Sequence, residues 1–174
     1  MKAMTYESPS GEIVAKPSLA SLQDVIFRER NKYWRCGSGD SSLGVTNVKR
    51  RKDGTHEMTI LPTEPSLVFW LVEKHGFFFV YFGARDPKKK TLDVSQYVPF
   101  AGGESDPWVK HYVGGDTFYA PRGCFVSRPF ASEIVKEFMR SQSRSKAVRW
   151  VNRHSLEFPN PSAGDTIPSR SKLA

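Results

Sequence analysis

From Phe130 to Met139 the apolar residues Phe130, Ala131, Ile134, Val135, Phe138 and Met139 recur at one-, three- and four-residue steps. Glu133, Lys136, Glu137 and Arg140 fill the positions between them. That spacing gathers the apolar set on one face of a 3.6-period helix and the charges on the other. Pro129 suits the first helical position, where its missing N–H costs nothing, and Ser127 upstream is a capping residue. The pattern predicts a helix near 129–140 that packs as a lid over the rest of the chain. Polar residues from Ser141 to Lys146 end it, and Ala147, Val148, Trp150 and Val151 form an apolar segment suited to a sheet. A second stripe, Leu19, Leu22, Val25 and Ile26, follows the N-cap residue Ser18 and closes on Arg28, Glu29 and Arg30. It predicts a helix near 18–29.

Elsewhere the pattern is that of strands. Thr5–Glu7 and Glu12–Ala15 flank Ser8-Pro9-Ser10-Gly11, which reads as an N-terminal hairpin. Lys32–Cys36 is a short aromatic segment that breaks at Gly37-Ser38-Gly39-Asp40, a flexible loop by composition. Leu43–Lys49 and Glu57–Leu61 lie either side of Asp53-Gly54, the strongest hairpin cue in the chain. Leu67–Val72 and Phe77–Phe82 are apolar at nearly every position. They are central strands, covered on both faces or lying at a partner surface. Leu92–Val98 reads as one more extended piece and Pro99–Pro107 as a Gly/Pro-rich loop. Trp108–Val113 and Thr117–Tyr119 form a hairpin about Gly114-Gly115-Asp116. The predicted class is α+β, a mostly antiparallel sheet of five to seven strands with two principal helices. Residues 1–155 are expected as one domain and 156–174 as a flexible basic tail, disordered from about residue 159.

Composition narrows the class of protein. At 39% hydrophobic and 25% charged residues the chain resembles a soluble globular protein, and 13% aromatics favour a sheet with large core side chains. No apolar run reaches the length of a membrane-spanning helix. Met1–Glu7 lacks the apolar core of a secretory signal. Cys36 and Cys124 have neither metal nor redox spacing and read as free thiols of a reducing cytoplasm. The net charge of +8 is unevenly spread: residues 140–174 hold seven Lys/Arg and two acids. Residues 1–139 hold 19 positive and 16 negative charges, so the body is close to ordinary.

Catalytic chemistry has little support. His56, His75, His111 and His154 are far apart, with no partner at metal-ligand spacing. Nucleophile-elbow, P-loop, zinc-protease and dinucleotide motifs are absent from the sequence. Cys124 and His111 could be paired as nucleophile and base, but Cys124 lies between Gly123 and Phe125 at what reads as a buried strand end. Neither enzyme activity, nor a metal, nor a cofactor is therefore expected. Basic turns at Lys49–Lys52 and Lys88–Lys90 leave one alternative, a basic nucleic-acid-binding module making phosphate contacts.

A partner-binding surface is better supported. The loop and strand from Pro99 to Val113 combine Gly102-Gly103, the acids Glu104 and Asp106, and the aromatics Trp108 and Tyr112; Asp116 lies close by in the next turn. Aromatic anchors rimmed by charge are the composition of interface hot spots. On a strand, Trp108, Lys110 and Tyr112 share one face while Val109, His111 and Val113 share the other. The valines mark the second face as the core face and turn Trp108 and Tyr112 outward. Glu104, Asp106, Trp108, Tyr112 and Asp116 are the candidate partner-binding residues.

Several of these pieces together resemble the Imm1 family of bacterial immunity proteins. They are Tyr33-Trp34 leading into Gly37-Ser38-Gly39, the strands Leu67–Val72 and Phe77–Phe82, and Pro121-Arg122-Gly123-Cys124-Phe125. Most specific is the Phe130–Met139 helix followed by Val148-Arg149-Trp150, and the similarity covers roughly residues 12–152. The resemblance implies a cytoplasmic antidote, encoded beside a secreted polymorphic toxin that is often a nucleic-acid deaminase. Such an antidote binds the toxin domain and occludes its active site. Antidotes of that kind are usually acidic, whereas this chain is basic; a local acidic patch from Glu104, Asp106 and Asp116 would reconcile the two.

Overall fold

Strand β1 (Lys2–Glu7) turns through Ser8–Glu12 and pairs antiparallel with β2 (Ile13–Ala15), as the turn composition of Ser8-Pro9-Ser10-Gly11 predicts. The coordinates are a computed structural model. They describe residues 2–156 apart from 30, 51, 53–55, 62, 85–87, 89–94, 103–106 and 114, with backbone alone at 31, 48, 50 and 56–60. Outside the described residues lie the Asp53-Gly54 turn, Arg51, Lys89, Lys90, residues 92–94 of the expected strand, and 157–174 of the expected tail.

Helix α1 (Leu19–Arg28) starts where the cap predicts, with Ser18 Oγ accepting the Ser21 N–H at 3.0 Å. Leu22 and Ile26 of its stripe are fully buried. The aromatic segment that follows is not extended. It is one helical turn, α2 (Asn31–Trp34). Tertiary contacts explain the difference. A helical turn lets Tyr33 Oη reach Tyr6 Oη at 2.6 Å while Trp34 sits edge-on to Phe77, with ring centroids 5.4 Å apart. The loop after it, expected to be flexible, is tied down: the Ser38 N–H donates to the Pro9 carbonyl at 2.9 Å.

Strands β3 (Ser41–Arg50), β4 (His56–Ile60), β5 (Ser66–Val72), β6 (Gly76–Phe82) and β7 (Gln96–Pro99) come next. Then follow the hairpin β8 (Trp108–Val113) and β9 (Asp116–Pro121), and a 3₁₀ turn at Arg122–Cys124. The two-residue strand β10 (Phe125–Val126), helix α3 (Arg128–Ser141) and β11 (Trp150–Asn152) complete the order, and a 3₁₀ turn at Arg153–Leu156 ends the described chain. Seven strands run in the path β11-β7-β6-β5-β3-β1-β2; β10 adds to β6 and β4 to β3, giving nine. Every pairing is antiparallel. The count exceeds the five to seven expected, and of the nine only β10, the short piece joining the hairpin to α3, has no counterpart among the predicted segments. β8 and β9 form a separate two-stranded sheet.

Covering both faces is what the uniformly apolar β5 and β6 demand. Phe69 lies opposite Phe79 and Leu71 opposite Phe77, on the face covered by α2 and α3, with α1 packed against α3. Trp70 opposes Phe78 on the other face, where the β8–β9 hairpin packs. Phe69, Phe77, Phe78 and Phe79 have no exposed surface. Each such ring contributes about 1.5–3 kcal/mol by leaving water.

Helix α3 opens with Arg128, so Pro129 is its second residue, and Ser127 makes no side-chain cap. The Arg128 guanidinium instead donates to the carbonyls of Ile26 and Glu29 at the end of α1, where a cation meets the helix's partial negative charge. Ala131, Ile134, Val135 and Phe138 are buried as predicted, but Phe130 is 48% exposed. It stands at the margin of the stripe in the first turn and lines a surface groove with Phe100 and Val148. Trp150 is half-buried, its indole N–H held by the Ser145 carbonyl at 2.8 Å. Leu156, the first residue of the expected tail, belongs to the core cluster.

Candidate partner-binding site

The outer surface of the β8–β9 hairpin depends on how firmly its inner surface is held. Strand alternation puts Val109 and His111 inward, both nearly fully buried, and Lys110 and Tyr112 outward. His111 lies in an aromatic box: its ring centroid is 4.8 Å from Phe118 and 5.5 Å from Phe125. Phe118 in turn stands edge-on to Trp70 and Phe78 at 5.5 and 5.2 Å. The Trp70 indole N–H donates to His111 Nε2 at 3.0 Å. An accepting Nε2 carries no proton, so neutral His111 holds its proton on Nδ1. Burial, joined by the field of His75, lowers its pKa to about 4. The imidazole is thus a neutral peg fixing the hairpin to the sheet.

On the outside, Tyr112 is 69% exposed, a large aromatic side chain facing solvent from a braced strand. Lys110 Nζ lies 5.7 Å from its ring centroid and 6.0 Å from that of Tyr119. Asp116 is exposed at the hairpin tip, opposite Val113 in the register. Trp108 is only half-buried, at the far end of β8 opposite Pro121. Tyr112, Asp116 and Trp108 therefore sit on one hairpin, Tyr112 and Asp116 near its tip and Trp108 at its base. Glu104 and Asp106 lie outside the described residues.

Beside Tyr112 opens a cleft of about 390 Å³, which sequence reasoning missed. Three separate segments form it: Trp34, Arg35 and Gly39 at and after the end of α2; Leu71–His75 at the β5–β6 turn; and Lys110–Tyr112 of β8. Arg35, Lys74 and Lys110 are all exposed at its rim. Burial and the nearby cations Arg122 and Lys74 lower the His75 pKa, favouring its neutral form. An apolar groove of about 330 Å³ lies elsewhere, where Phe130 meets Phe100 and Val148. Among the described residues no group of three or more His, Cys, Asp or Glu is placed to hold a metal. Cys124 is fully buried, and His111 Nε2 is already engaged by Trp70. No described helix is long and apolar enough to cross a membrane.

The chain matches no curated protein and no solved structure. The family model of the immunity protein Imm1 does match, over residues 42–152. That span runs from the start of β3 to the end of β11, taking in the central strands, the braced hairpin and α3. Well over half of the sequence is covered, and the chain belongs to the Imm1 family of immunity proteins.

Proposed function

We propose that this protein acts in the cytoplasm as the antidote to a cognate secreted toxin domain, which it binds so as to occlude the active site. A nucleic-acid deaminase is the toxin class proposed. The family supports the immunity role. The observation that carries the choice of surface is Tyr112, 69% exposed on a strand whose other face is pegged by His111. A rigid aromatic side chain gives contact area at little entropic cost, which is what a hot spot needs. The proposed interface comprises Glu104, Asp106, Trp108, Tyr112 and Asp116, with the acids meeting a basic toxin surface.

Co-expression with the toxin domain encoded beside this gene tests the reading. Wild-type protein should restore growth and bind the purified toxin domain, and Tyr112→Ala should weaken binding by about tenfold or more with Tm nearly unchanged. Full protection and unaltered affinity in Tyr112→Ala would place the interface elsewhere. The net charge of +8 favours a second reading, nucleic-acid binding, which predicts affinity for generic oligonucleotides that collapses as salt rises.

A further inference from the structure

The cleft beside Tyr112 has a charge that the proposed acidic interface does not explain. Arg35, Lys74 and Lys110 come from three segments distant in sequence, and the fold brings all three to one concavity whose lining includes, among the described residues, a single acid, Glu73. Among the described residues none of the three cations has a carboxylate within 4.0 Å. Three cations against one acid leave the concavity with an excess of positive charge, whose mutual repulsion an anion from outside the chain would relieve. Two walls of the cleft carry buried polar atoms. Among the described residues, neither Trp34 Nε1, on a residue only 4% exposed, nor His75 Nδ1 has a hydrogen-bond partner, and both atoms are closed off from solvent.

Resting on the antidote reading above, we infer that this cleft receives a carboxylate-bearing segment of the toxin, an Asp/Glu loop seated among Arg35, Lys74 and Lys110 with Trp34 and His75 behind it. The shape favours a protein loop over a nucleic-acid backbone. A polyphosphate chain is held by cations tracking along a surface, whereas these three ring one pocket. Tyr112 lies on both the cleft rim and the outer hairpin face, so one bound partner spans the two. Cations on the toxin facing Asp116 and carboxylates facing the cleft would together fix its register, because a rotated docking would set like charges against each other.

Charge reversal separates the possibilities. Arg35→Glu, Lys74→Glu and Lys110→Glu all fall on exposed side chains, so the triple variant should keep its circular dichroism spectrum and Tm. Its Kd for the toxin domain encoded beside this gene should rise by about 100-fold or more, mostly through slower association. A second triple variant, Arg140→Glu, Lys146→Glu and Arg149→Glu, makes the same charge change at and beyond the end of α3 and should stay within about threefold of wild type. In a titration free of the toxin, hexaglutamate should shift the Trp34 indole N–H resonance of the wild-type protein but not of the cleft variant. Equal losses in the two triple variants would reduce the effect to general attraction and overturn the inference. Unaltered toxin affinity in the cleft variant also overturns it, while leaving the antidote reading in place. If the wild-type protein fails to bind the toxin at all, both fall together. Movement of the Trp34 resonance by a single-stranded oligonucleotide and not by hexaglutamate would make the cleft a phosphate site.

Discussion

His111 concentrates the consequences of burial in one imidazole. In the unfolded chain it takes up a proton near pH 6.5, and in the fold only near 4. Between those values the unfolded state binds more protons, so stability held above pH 6.5 is lost as the pH falls toward 4. Denaturant melts should show about 1–2 kcal/mol less stability from this site at pH 5 than at pH 7. His111→Gln keeps an acceptor for the Trp70 indole without a titrating group, and its pH dependence should be flatter by that amount. An unchanged slope would mean that the imidazole is not held neutral. Gly76 is another residue whose surroundings decide its cost. It has φ +108, and a Cβ there would lie 2.3 Å from the Val126 carbonyl oxygen of β10. Gly11 has φ +82 with nothing within 4 Å. Gly76→Ala should therefore cost more than about 2 kcal/mol and Gly11→Ala about 1 kcal/mol, the difference in urea midpoints reporting the contact and not the backbone angle.

Helix α3 shows how far a periodic pattern can be trusted at the level of an element. Its stripe predicts six inward residues, and its two phenylalanines behave differently. Phe138 is fully buried and edge-on to Tyr81 at 6.2 Å, whereas Phe130 is 48% exposed. Phe138→Ala should cost about 3–5 kcal/mol in denaturant melts and Phe130→Ala under about 1 kcal/mol. Equal costs would contradict this packing. The central hairpin β5–β6 was legible because both its faces are apolar, a pattern that only a doubly covered strand needs. The short α2 was not. Asn31–Trp34 has no helical stripe long enough to read, and its turn follows from where Tyr33 and Trp34 must reach.

For the whole molecule, the distribution of charge matters more than its total. The described cations at and beyond the end of α3, Arg140, Arg144, Lys146, Arg149 and Arg153, line no part of the cleft that Arg35, Lys74 and Lys110 ring. A single-stranded oligonucleotide should therefore bind weakly, and fluorescence anisotropy at about 0.15 M salt should show no saturation in the micromolar range. Saturable binding whose affinity falls steeply with salt would favour the nucleic-acid reading instead.

Periodicity and turn chemistry, which act over a few residues, were sufficient for the class of the fold, the two main helices, the central strands and the inward face of β8. The inward role of His111 was legible for the same reason: it alternates with Lys110 and Tyr112 and shares a face with Val109. The cleft was not legible. Arg35, Lys74 and Lys110 belong to three separate local patterns, and nothing in any one of them refers to the others. They meet because α2 covers one face of the β5–β6 hairpin while β8 covers the opposite face, with the β5–β6 turn between them. That meeting is a product of long-range packing, in which buried rings such as Trp34, Trp70 and Phe77 choose their neighbours by shape and burial across the whole chain.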